Sequence, residues 1–118
     1  MVTKIISYGI SGIDAFQVQV EVDTSSGLPA FEIVGLPDTA IKESKERVRS
    51  AYKNSGFLFP AKRITVNLAP ANVRKEGSVF DLAILLGILK TSNQFNLNYD
   101  DKLCAFAGEI SLIGEVKP

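Results

Sequence analysis

Residues 14–23 read Asp14-Ala15-Phe16-Gln17-Val18-Gln19-Val20-Glu21-Val22-Asp23. Phe16, Val18, Val20 and Val22 fall on one side of an extended chain, and Gln17, Gln19, Glu21 and Asp23 on the other. Successive side chains of a strand point to opposite faces, so this alternation predicts a strand with one buried and one wet face. The flanking sequence extends the sheet. Residues 2–10 are rich in β-formers and open it. Thr24-Ser25-Ser26-Gly27-Leu28-Pro29 is a turn by composition. Residues 30–36 supply a third strand, so residues 14–36 are expected to form an antiparallel pair.

After Pro37-Asp38 the apolar period changes from two residues to a helical one. Asp38 can cap free backbone N–H groups, and Ile41, Val48, Ala51 and Tyr52 fall on one side at helical spacing. Lys42, Glu43, Lys45, Glu46, Arg49 and Lys53 fall mostly elsewhere, and Gly56 suits the left-handed backbone after a helix end. Residues 63–69 predict a strand with Ile64, Val66 and Leu68 facing in, and residues 71–77 a loop. Ser78-Val79-Phe80-Asp81 reads as a capping box for a second helix. Residues 82–89 are apolar nearly all round, which makes that helix the most buried one. Residues 91–101 read as a polar loop and 103–112 as a strand. Ile113-Gly114 turns into another strand, and residues 108–116 look like the start of a hairpin. Strands alternating with helices place the chain in the α/β class.

Composition narrows the function. The 118 residues suit a single domain spanning 1–118, and 46% hydrophobic residues supply one core. With 13 basic and 13 acidic residues the net charge is +0, so any grip on nucleic acid must come from a local patch. No His is present, which removes His-dependent triads, Cys/His zinc sites and imidazole switching. The single Cys104 lies in the run Leu103-Cys104-Ala105-Phe106 and reads as a small buried hydrophobe. Residues 1–4 show no signal-peptide pattern, and residues 82–89 are far too short to span a membrane. A cytoplasmic location without membrane contact is expected.

The chemistry-bearing motifs are sparse. No phosphate-binding loop is present, and the acidic residues show no metal-site spacing. Gly77-Ser78 at a helix start is a cap or, alternatively, an anion site. Lys75 precedes Ser78, but its ammonium is expected to stay solvated in a polar loop, so no Ser–Lys catalytic pair is expected. Lys62-Arg63 begins a strand and Arg74-Lys75 ends the loop after it. Together with the basic residues of the first helix these form a candidate basic strip.

A longer series of motifs then connects. Gly35-Leu36-Pro37-Asp38-Thr39-Ala40-Ile41-Lys42-Glu43-Ser44 is followed by Glu46-Arg47-Val48-Arg49 and Asn54-Ser55-Gly56-Phe57. Pro60-Ala61-Lys62-Arg63-Ile64-Thr65-Val66-Asn67-Leu68-Ala69-Pro70, Arg74-Lys75-Glu76-Gly77, Phe80-Asp81-Leu82 and Gly108-Glu109-Ile110-Ser111-Leu112-Ile113-Gly114 continue it. Over essentially its whole length the chain resembles the N-terminal domain of the ComM/YifB family, bacterial proteins also labelled magnesium-chelatase-like. Many members carry Pro where this chain has Ala83, in the first turn of a helix, where Pro loses no helical bond. The resemblance implies a Lon-protease-like, or ribosomal-protein-domain-2-like, fold: two layers, a mixed sheet with helices on one face. It also implies an AAA+ ATPase module after Pro118, using ATP and Mg that this chain does not itself hold. Sibling subunits in a hexameric ring and DNA are the implied partners, since ComM-like proteins are implicated in natural transformation as branch-migration helicases. Lon proteases carry their nucleophile two places after the Gly aligned with Gly77, where this chain has Val79. Their lysine lies beyond the equivalent of Pro118. The expected role is therefore a non-catalytic accessory domain that helps assemble the ring or guide DNA. Lys62, Arg63, Arg74 and Lys75 are its contact candidates. The alternatives are a purely structural inter-subunit module and a Lon-like peptidase using Ser78.

Overall fold

The alternation around Val20 builds one strand of a four-stranded sheet. The computed structural model describes residues 2–11, 14–92, 105–112 and 114–117. Its elements are β1 (Val2–Ser11), β2 (Asp14–Ser25), β3 (Ala30–Val34), α1 (Thr39–Lys42), α2 (Ser44–Asn54), β4 (Arg63–Ala69), α3 (Asp81–Thr91), β5 (Glu109–Ile110) and β6 (Val116–Lys117). The sheet order is β1-β2-β4-β3, and β5 pairs antiparallel with β6. Cys104 and most of the expected polar loop lie outside the described residues, and residues 105–108 precede β5 without strand structure.

The expected pairing of β2 with β3 does not form. β4 lies between them, antiparallel to β2 (Val20 opposite Leu68) and parallel to β3 (Ile33 opposite Val66). A parallel pair needs a crossover, and the 39–54 helical segment provides it. The insertion gives β4 a ladder on both edges, with Ile64, Val66 and Leu68 wholly buried.

Helices cover one face of this mixed sheet. Ile5, Val18, Val20, Val22, Phe31 and Ile33 point into that layer and meet Ile41, Val48, Tyr52, Ile84 and Ile88. Gly87 allows the close approach of α3, because a Cβ there would lie 2.5 Å from Val22 Cγ2. Thr3 Oγ1 donates to the Gly87 carbonyl at 3.1 Å and shares a 2.6 Å hydrogen bond with Thr91 Oγ1, tying β1 to α3. Phe31, Tyr52, Phe57 and Phe59 form a ring cluster where α2 meets the start of β4, with centroid separations of 5.2–5.8 Å. No helix among the described residues is long and apolar enough to cross a membrane.

Candidate functional site

The helical segment begins as the sequence predicts. Asp38 Oδ1 accepts the Ile41 amide at 2.9 Å, and Gly56 follows α2 with φ +88°. The second Asp38 oxygen reaches across to the Gly77 amide at 3.0 Å. The 71–77 loop is laced back along residues 35–38 by two further bonds, Lys75 N to Leu36 O at 3.0 Å and Asp38 N to Lys75 O at 3.1 Å.

This closure overturns the expectation of a solvated Lys75. The side chain is wholly buried, and its ammonium donates to the carbonyls of Gly35, at 2.8 Å, and Pro70. Burial pushes its pKa below the ordinary lysine value. The loop composition is polar, but the loop folds over its own lysine and excludes water from it.

The capping box is also corrected. Phe80 occupies the position before α3 in helical conformation, with no side-chain cap, and the Asp81 amide meets the Ser78 carbonyl at 3.2 Å. Ser78 Oγ donates instead to Glu109 Oε1 at 2.6 Å. The segment before β5 does the capping: Leu82 N donates to Gly108 O at 3.1 Å, and Gly108 N to Val79 O at 2.8 Å. Val79, at the position aligned with the Lon nucleophile, packs against the core. An anion at Gly77 and Ser78 would meet the carboxylates of Asp38 and Glu109, which already take their donors.

Asp81 is held elsewhere because a buried carboxylate needs a charge partner and donors. Its side chain accepts from Arg47 Nε at 2.6 Å, Arg47 Nη2 at 3.1 Å, the Ile110 amide at 3.3 Å and, by a short bond, Ser44 Oγ. Arg47 Nη2 also reaches the Ala40 carbonyl at 2.9 Å. The hydrogen bond to Asp81 raises the Arg47 pKa further above its ordinary value, so it stays cationic. This knot joins α1, α2, α3 and β5. The buried Ser44 hydroxyl donates to a carboxylate that is already paired with Arg47, so that carboxylate is not a free base for it.

The four cations singled out from sequence do not form one patch. Lys62 and Arg63 are exposed at the start of β4, whereas Arg74 and Lys75 follow its other end. Strand β4 rises about 3.3 Å per residue, which separates the two pairs by roughly 20 Å. Arg74 is exposed with Glu76 3.5 Å away, and Lys75 is buried. What the sequence reading missed is the company of Lys62. Arg49 and Lys53 share one side of α2 and border with Lys62 a cleft of about 310 Å³ floored by Phe59. Their i, i+4 spacing was the available signal. Among the described residues no group of three or more His, Cys, Asp or Glu side chains is placed to hold a metal ion.

Several known proteins share this sequence. The sequence model of the family described as subunit ChlI of Mg-chelatase matches residues 20–118. The chain is 48% identical over 106 residues to the competence protein ComM of Haemophilus influenzae, and 46% identical over 106 residues to the protein YifB of Escherichia coli. Each alignment covers 90% of this chain and 21% of the relative. An uncharacterized Mycobacterium tuberculosis protein is 38% identical over 115 residues, covering 98% of this chain and 23% of the relative. The chain therefore spans about a fifth of the length of the curated relatives it matches.

Proposed function

The chain belongs to the family of subunit ChlI of Mg-chelatase, and on that premise we propose that it is a non-catalytic accessory domain of a ComM-like AAA+ ATPase. In this reading the ATP and Mg belong to an ATPase module of the parent protein, which works in the cytoplasm as a hexameric ring on DNA. This domain assists DNA engagement or ring assembly. The carrying observation is the exposure of Lys62 and Arg63 at the start of β4 without an ion-pair partner among the described residues. The groups that a Lon-like peptidase would use support the non-catalytic reading. Ser78 is engaged by Glu109, Lys75 by two carbonyls, and a hydrocarbon side chain stands at position 79.

Lys62 and Arg63 are the DNA contacts in this account, and Arg74 a peripheral one. Lys75, first grouped with them, instead fixes the loop that carries Arg74. Charge reversal of Lys62 and Arg63 in the full-length protein should weaken DNA binding and flatten its dependence on salt, because fewer counterions are released. Unchanged binding across a salt titration would remove the DNA role from these residues.

A purely structural role between subunits is the second reading. The face of the sheet opposite the helices exposes Val2, Tyr8, Ile10 and Val34, and exposed apolar groups favour burial against a neighbour. Sedimentation velocity of the full-length protein with and without residues 1–118 separates the readings. Loss of the ring with intact DNA binding selects the structural module.

A further inference from the structure

The cleft beside Lys62 has features that a general basic surface lacks. Arg49 and Lys53 on α2 form one wall, and Lys62 with Pro60 and Pro29 the other, around the half-buried ring of Phe59. The Arg49 guanidinium lies 5.5 Å from the Phe59 ring centre and 5.9 Å from that of Phe31. Those two rings stack at 5.7 Å, and Tyr52 meets Phe59 edge-on at 5.2 Å. Arg49 is therefore held in place by aromatic faces, with Glu46 at 3.4 Å as its acidic neighbour. Lys53 and Lys62 are exposed and have no ion-pair partner among the described residues. Proline rims and a ring-packed floor form the cleft before any ligand arrives, which lowers the ordering cost of binding.

We propose that this cleft binds single-stranded nucleic acid, with a backbone phosphate between Lys53 and Lys62 and a base over the Arg49 guanidinium. The proposal rests on the DNA-engaging reading above and names the strand form and the residues. The size argues for a single strand. About 310 Å³ lies at the small end of the roughly 300–1,000 Å³ range of small-ligand clefts, which suits one splayed nucleotide and not a duplex. The chemistry argues the same way. Single-strand sites combine a cationic groove with planar platforms, and guanidinium planes stack unpaired bases as aromatic rings do. Recognition is of backbone and base face, so no sequence preference is expected.

The test is a ¹⁵N–¹H NMR titration of this chain with a thymidine hexanucleotide to roughly 1 mM, tenfold above the weak limit near 10⁻⁴ M for non-specific binding. The expected result is saturable shifts at Arg49, Lys53, Phe59 and Lys62 that move less with a hairpin duplex or inorganic phosphate. In K53E/K62E, whose changes are both exposed, the remaining spectrum stays in place. Affinity then falls about tenfold or more, and the salt slope drops by about 1.4, near 0.7 for each phosphate contact. Absence of shifts in the cleft at 1 mM overturns the proposal. So does a duplex or inorganic phosphate that matches the hexanucleotide. Shifts confined to Arg74 overturn the cleft while sparing the DNA-engaging reading, which falls only if binding by the full-length protein is also indifferent to K62E/R63E.

Discussion

The carboxylate of Asp81 accepts hydrogen bonds from Ser44, Arg47 and the Ile110 amide, and Asp81→Ala removes them all. Breaking a fully buried ion pair from one side costs about 3–5 kcal/mol, because the surviving charge is left unpaired. Arg47 is 21% exposed, so water reaches its guanidinium and the low end applies. We expect Asp81→Ala to lower the unfolding free energy by about 3 kcal/mol. At about 4 °C per kcal/mol for a domain of this size, Tm falls by about 12 °C. Asp81→Asn keeps acceptors for Ser44 and Ile110 but loses the charge-assisted bond, at about 2 kcal/mol. Urea unfolding followed by circular dichroism at pH 7 measures each variant. An Arg47→Met/Asp81→Leu double variant should recover to within about 1 kcal/mol of the native chain, since no charge is then stranded. A loss below about 1 kcal/mol for Asp81→Ala would refute the reasoning. So would a double variant as unstable as the sum of its single changes.

Three further outcomes follow from the packing. Gly87→Ala drives a methyl group into Val22 at the sheet–helix contact, so it should destabilise by about 1–3 kcal/mol in the same unfolding assay. The buried Ser7 hydroxyl has no hydrogen-bond partner, so Ser7→Ala should raise stability by about 1 kcal/mol, and a loss of stability would show an unseen partner. Burial depresses the Lys75 pKa while the unfolded chain keeps its ordinary value near 10.4. Between those values the unfolded state binds more protons, so the native chain should gain stability relative to Lys75→Met as pH rises towards about 10.4. A difference that stays flat with pH in urea titrations would contradict this.

The local elements were legible because each depends on near neighbours in sequence. The alternation of β2 and β4, the Asp38 cap and the Gly56 turn all follow from spacing and backbone preference. The errors arise where distant segments meet. Strand β3 has the composition of a hairpin partner for β2, and the crossover through α1 and α2 that places β4 between them leaves no mark within residues 14–36. Ser78 and Asp81 have the spacing of a capping box, but Glu109 and Arg47 compete for their side chains from 31 and 34 residues away. Lys75 looks solvated in sequence and is buried by its own loop. The cleft was half legible. Arg49 and Lys53 share a helical side, whereas their meeting with Lys62 depends on how residues 57–62 return across the aromatic cluster.

At the centre of this account is the idea that the polar groups around the start of α3 hold the structure together and perform no hydrolysis. Reacting the chain with a fluorophosphonate serine probe and reading the intact mass tests that most directly. The account predicts an unmodified chain, because the Ser78 hydroxyl is bonded to Glu109 and the Lys75 amine to the carbonyls of Gly35 and Pro70. Stoichiometric labelling that disappears in both Ser78→Ala and Lys75→Met would contradict it.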